Sequence, residues 1–283
     1  MKPILVDSYD QKRMSWIIRP YQSRDKMKPP IAIVAFGTTS DAISTYRYID
    51  EKIRTHFTNR EIFWSFSSRT ITRQLQWQGQ ENIRHPEELF SLLIEQGHKS
   101  AVIQSLHLFP GTEFDSLTKI MLKTELHCIP GTPLISSPED YSEICRILQP
   151  LISTTGEKAT LILGHGTCHS SWTSYYCLET FLRQKISPHI FVGTVEKYPE
   201  SSHLVNEIQE AGYREVCIIP FFLVAGMHYK RDIIGEEESS WLTRFNRREM
   251  KTETVNHGLA MLPGFNSIIL RHIEEAVCRN KVT

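Results

Sequence analysis

The sequence predicts an α/β protein of two similar lobes, each a parallel sheet flanked by helices, facing each other across a cleft. Three observations carry this expectation. Short runs rich in Ile, Val and Phe alternate almost strictly with segments of helical period, the pattern of parallel strands joined by crossover helices. The order of events also repeats: IAIVAFGTT resembles TLILGHGTC, EIFWSFSSRTI resembles HIFVGTVEKYP, and SAVIQSLHLFPG resembles EVCIIPFFLVAGMH, read at an offset of about 127 to 129 positions. Finally, 283 residues with 40% hydrophobic and 23% charged side chains suit a globular chain of one large domain or two of average size.

Element by element, residues 1–30 are polar and end in Pro29-Pro30, which reads as an N-terminal extension outside the repeat. Strands are expected at Ile31 to Gly37, Ile62 to Phe66, Ala101 to Leu108 and Thr132 to Ile135, then at Ala159 to Leu163, Ile190 to Val195, Val216 to Val224 and Thr254 to Leu259. Helices are expected at Ala42 to Phe57, Pro86 to Gln96, Thr112 to Lys123 and Pro138 to Leu151 in the first half. Ser171 to Gln184, Ser202 to Ala211 and Phe265 to Arg279 follow in the second. In each half the helix before the third strand ends near a glycine, Gly97 or Gly212. A boundary near Ser153 to Lys158 divides the chain into lobes at 31–155 and 156–283.

Charge and cysteine usage narrow the function. Lys+Arg and Asp+Glu are both 32, so the formal charge is zero and a nucleic-acid backbone is not the expected partner. The longest apolar runs reach about ten residues, short of the roughly 20 that span a bilayer, so no membrane partner is expected. Lys2, Asp7, Asp10, Lys12 and Arg13 interrupt the region where a secretory signal would lie, and a cytoplasmic location is expected. Six cysteines without a CxxC pair point to reduced thiols rather than a disulfide framework or zinc knuckle.

Two-lobe α/β proteins bind ligands at the carboxyl ends of their strands. In the second lobe His165, Glu196 and His228 each fall just past such an end. An imidazole, a carboxylate and a second imidazole converging there would hold a divalent metal with open coordination positions. His169 lies four residues after His165, but the glycines around His165 put that residue on a turn and His169 at the following helix start, so shared ligation is not expected. In the first lobe Gly37, Thr38 and Thr39 form a turn whose backbone N–H groups could cradle an anion. GxGxxG, GxxxxGK[ST] and GxSxG are all missing, which disfavours dinucleotide, P-loop and hydrolase-elbow sites and implies no organic cofactor.

Taken in order, FGTT, SFSSRTI, VIQSLHLFPGTEF, LGHGT, VEKYPE and PFFLVAGMHYKRDI, with the later SSW segment, resemble the class II chelatases of the anaerobic cobalamin pathway. These are the sirohydrochlorin cobaltochelatases related in fold to ferrochelatase, and the resemblance runs from about Ile31 to the C-terminus. It implies a metal chelatase that inserts Co²⁺ into sirohydrochlorin, with metal ligands that by position are His165, Glu196 and His228. Glu113 matches a glutamate that faces the tetrapyrrole cleft. Met227 stands where the family carries Asp, which puts the tuning of His228 in question.

Insertion requires a metal on exchangeable ligands and acceptors for two pyrrole protons. Neutral His165 and His228 could hold the metal, and either histidine or Glu196 could accept a proton. Sirohydrochlorin carries carboxylates, for which Arg69, Arg73, Lys230 and the Gly37 to Thr39 turn are the candidate donors. The metal, as substrate, would be Co²⁺, with Fe²⁺ insertion for sirohaem the alternative and Ni²⁺ left open. A non-catalytic carrier of metal or tetrapyrrole is the reading from another class. Homo-oligomerisation is left open.

Overall fold

The computed structural model describes residues 28–80 and 82–279. The expected extension at 1–30 therefore lies almost wholly outside the described residues. Two four-stranded parallel sheets carry the fold. The first comprises β1 (Ile31–Ala35), β2 (Ile62–Phe66), β3 (Ser100–Ser105) and β4 (His127–Pro130), in the order β2-β1-β3-β4. The second comprises β5 (Lys158–Gly164), β6 (Ile190–Thr194), β7 (Glu215–Pro220) and β8 (Lys251–Thr254), in the equivalent order β6-β5-β7-β8. All five residues of β1 are fully buried, as a central parallel strand covered on both faces requires. This is the expected α/β two-lobe architecture.

The helices described are α1 (Ile43–His56), α2 (Arg69–Trp77), α3 (Pro86–Glu95), α4 (Thr112–Lys123), α5 (Pro138–Leu148), α6 (Thr173–Lys185), α7 (Leu204–Glu210), α8 (Trp241–Asn246) and α9 (Phe265–Arg279). Proline opens α3 and α5, where its missing N–H would be unpaired anyway, and Ser137 caps α5 by accepting from the Asp140 N–H at 3.2 Å. Helices α2 and α8 were not expected. Each is short, and each presents few apolar residues to reveal a period; Ser68 and Ser240, which accept from the Ile71 and Thr243 N–H groups, are the capping signals that mark their starts.

Register corrects the repeat. Ile31 and Thr160 hold equivalent positions at the ladder of their sheets, as do Ile62 and Ile190, which preserves the expected offset. The third pair does not: Val102 aligns with Cys217, only 115 positions on. The first lobe inserts both α2 and α3 between its second and third strands, whereas the second lobe has α7 alone.

The fourth strand of each sheet is also shifted; these are β4 and β8. They were expected at Thr132 to Ile135 and Thr254 to Leu259, but β4 and β8 lie at 127–130 and 251–254. Both are largely solvent-exposed and carry little apolar signal. The buried residues that produced the expectation lie past the strand ends, Leu134 and Ile135 in a loop and Leu259 in a 3-10 turn.

The lobes share one apolar core. Phe109 of the first lobe packs against Tyr175 and Phe221 of the second, with ring centroids 5.2 and 6.0 Å away. The C-terminal helix α9 crosses back to pack on α1, α5, β3 and β4. Its His272 hydrogen-bonds buried Asp140 at 2.9 Å, and its Arg271 reaches the same carboxylate at 2.6 Å. Those contacts fix the strand ends of both sheets in one frame.

Candidate metal centre

Each of the three expected ligands leaves the carboxyl end of a different strand of the second sheet. His165 follows β5, Glu196 follows β6, and His228 follows the loop after β7, and because these strands are neighbours the side chains converge. One ligand atom from each residue lies within 4.8 Å of the others. The three side chains are only partly exposed, at 42, 38 and 34%.

The β5 turn is built for close approach. Gly166 has φ of 87°, and a Cβ there would stand 1.7 Å from the Glu196 carbonyl oxygen. The Gly166 N–H donates to the Tyr175 hydroxyl at 3.0 Å, and the Glu196 N–H donates to the His165 carbonyl at 3.2 Å. In the first lobe Tyr46 hydrogen-bonds the Gly37 backbone in the same way, and Gly37 has φ of 100°. There, however, the Ser68 N–H donates to the Phe36 carbonyl, so Phe36 and Ser68 stand where the second lobe has His165 and Glu196. The β3/β7 register carries Gly111-Thr112-Glu113 onto Gly226-Met227-His228.

The proton inventory of the trio has a chemical consequence. His165 Nε2 and His228 Nε2 are 2.9 Å apart, so that contact needs one proton. His228 Nδ1 faces the Asp232 carboxylate at 2.6 Å, and His165 Nδ1 faces the Gly166 carbonyl at 3.1 Å and Glu196 Oε1 at 3.3 Å; each needs one more. Two neutral imidazoles carry two protons between them, one too few. Burial, and then the charge of His228, push His165 below the ordinary imidazole value despite the Gly166 carbonyl and Glu196, so a third proton is disfavoured. A metal cation held among the three side chains would supply that positive charge.

Asp232 was missed by sequence reasoning. It lies one turn after His228 in a π-helical segment, Tyr229–Ile233, and its signal was the four-residue spacing. Burial would raise this carboxyl, but hydrogen bonds from Arg231 and His228 outweigh it and hold it low. Asp232 thus orients His228, so Met227, whose side chain is exposed, leaves His228 with a carboxylate partner. Lys197, with Nζ 3.3 Å from Glu196 Oε1, was also missed.

The remaining candidates are not among the three converging ligands. His169 caps the turn before α6 and faces Asp115 of α4 at 3.2 Å, joining the lobes. Glu113 is partly buried in the first turn of α4. Thr38 is buried with its hydroxyl on Ser40 at 2.9 Å, while Thr39 is exposed. Arg69 pairs with Glu87 at 2.5 Å, Arg73 is exposed on α2, and Lys230 is exposed in the π-helical turn beside His228. Among the described residues no helix is long and apolar enough to cross a membrane.

The sequence is 28% identical over 259 residues to a sirohydrochlorin cobaltochelatase of Salmonella typhimurium, covering 89% of this chain and 97% of that one. It is 27% identical over 268 residues to the sirohydrochlorin cobaltochelatase CbiKC of Nitratidesulfovibrio vulgaris, covering 92% of this chain and 94% of that one. Its fold matches the sirohydrochlorin chelatase SirB of Bacillus subtilis subspecies spizizenii in complex with cobalt, with a TM-score of 0.62 at 11% identity over 91% of this chain and 98% of that one. The family model described as cobalt chelatase (CbiK) matches residues 30–278, and the chain belongs to that family.

Proposed function

We propose that this chain is a sirohydrochlorin cobaltochelatase, inserting Co²⁺ into sirohydrochlorin in cobalamin biosynthesis, with His165, Glu196 and His228 holding the incoming metal. The observation that carries the reading is the convergence of these three side chains at the ends of adjacent strands. Two imidazoles and a carboxylate suit Co²⁺ and leave positions open for the ring nitrogens. The metal is a substrate here. Insertion exchanges a dication for two pyrrole protons with no redox step, so no organic cofactor is required. As the metal leaves for the ring, the histidines and Glu196 are freed to take up protons, and Glu113, at the position equivalent to His228 in the opposite lobe, is the candidate base on the other side. Arg69, Arg73, Lys230 and the Gly37 to Thr39 turn remain the proposed contacts for substrate carboxylates.

An anaerobic assay of sirohydrochlorin with Co²⁺, Fe²⁺ and Ni²⁺ in parallel tests the reading. Turnover with Co²⁺ is expected, and His165→Ala and His228→Ala should each abolish it while the far-UV spectrum stays native. A stoichiometric spectral change without turnover would make the protein a carrier. Exclusive turnover with Fe²⁺ would replace the cobalt assignment with the sirohaem reaction.

A further inference from the structure

Lys197 adopts φ of 59°, in the left-handed region that favours glycine. Its neighbours are pinned: the Glu196 N–H donates to the His165 carbonyl at 3.2 Å, the Thr167 N–H donates to the Tyr198 carbonyl at 3.0 Å, and Gly166 lies against the Glu196 carbonyl. The backbone of the β5 turn therefore imposes this conformation, at a position where a long cationic side chain is strained. The strain places the ammonium 3.3 Å from Glu196 Oε1, the same oxygen that lies 3.3 Å from His165 Nδ1. The Lys197 side chain is 48% exposed, so its four-carbon stem can carry the charge away without disturbing the core.

An ammonium and a dication drawn to the same Glu196 oxygen repel each other, so in a partly desolvated site each weakens the hold of the other. We propose that Lys197 is a displaceable counter-ion: it holds Glu196 while the centre is empty, is expelled when the divalent metal arrives, and then binds a carboxylate of the tetrapyrrole. The proposal rests on the metal-centre reading above. It makes Lys197 a positioning residue for the metal and a binding residue for the macrocycle. By linkage, metal loading and anion binding then favour one another, since each removes the competitor of the other.

The test compares wild type, Lys197→Gly, Lys197→Met and Lys197→Arg. Co²⁺ binding is followed by its visible absorption, and KM for sirohydrochlorin is measured at low and high ionic strength. Glycine meets the left-handed backbone without strain and so guards against a folding failure of the Met variant. Both deletions should tighten Co²⁺ binding by about three- to fivefold, the scale of a partly exposed ion pair. They should raise KM by a similar factor, more than they change kcat, and flatten its salt dependence; Arg should restore both properties. Unchanged or weaker Co²⁺ binding overturns the proposal, and so does tighter binding with an unchanged KM. His165→Ala serves as the separate control: if it binds Co²⁺ as wild type does, the metal-centre reading fails instead.

Discussion

At the scale of single residues, the competition between metal and proton sets the behaviour of the centre. His165 sits below the ordinary imidazole value of about 6.5, chiefly through burial, while the Gly166 carbonyl and Glu196 pull the other way. Its neutral form therefore survives to lower pH than a free imidazole. Insertion rates at subsaturating Co²⁺ should hold from pH 8 down to about 6.5 and fall below it, and added Co²⁺ should rescue the acid limb. Glu196→Gln removes a charge that favours protonated His165, so it should weaken Co²⁺ binding and move the limb further toward acid. A rate insensitive to pH from 5 to 8 would remove the histidines from the ligand role. Asp232→Asn should lower Co²⁺ affinity by about 10- to 100-fold, the usual scale for a residue that orients a ligand, with little change in melting temperature. Isothermal titration of the two proteins checks this.

At the scale of elements, the site depends on turns that glycine alone can make. Gly166→Ala forces a side chain into the Glu196 carbonyl at a positive φ, so the β5 turn and the Glu196 to Tyr198 turn must separate. Loss of insertion activity together with a lower melting temperature is expected. Gly212→Ala is the comparison: it also has positive φ, but its added methyl meets nothing within 4 Å, so it should keep the metal site intact. The strands that position the ligands, β5, β6 and β7, were legible because their interiors are apolar. The short strands β4 and β8 and the helices α2 and α8 were not, since those strands bury at most one of their four residues and a short helix spans too few turns to show a period.

At the scale of the whole molecule, α9 couples the end of the chain to the first lobe. Asp140, only 1% exposed, is raised by burial but more strongly lowered by hydrogen bonds from His272, Arg271 and the Ser136 N–H. A carboxyl depressed in the folded state contributes stability that is complete above its unfolded value of about 4 and is lost as pH falls toward its folded value. Acid unfolding should therefore steepen below about pH 4 in wild type. Asp140→Ala should flatten that steepening and lower stability at pH 7 by about 1 to 3 kcal/mol, because it leaves buried His272 without its carboxylate while Arg271 keeps Glu143 and Glu275. Chemical denaturation at the two pH values measures both effects.

The sequence by itself determined the two-lobe α/β class, the central strands and the three residues that meet at the candidate centre, because apolar runs, strand-end positions and ordered motifs are local properties of the chain. Tertiary structure alone decided the return of α9 to the first lobe and the contacts that join the lobes. Asp232 and Lys197 are near His228 and Glu196 in sequence, but the π-helical turn and the left-handed backbone decide that their charged groups meet those side chains. Whether a histidine carries a proton depends on burial and on opposing charges brought together from three strands, and those balances exist only once the sheet has formed.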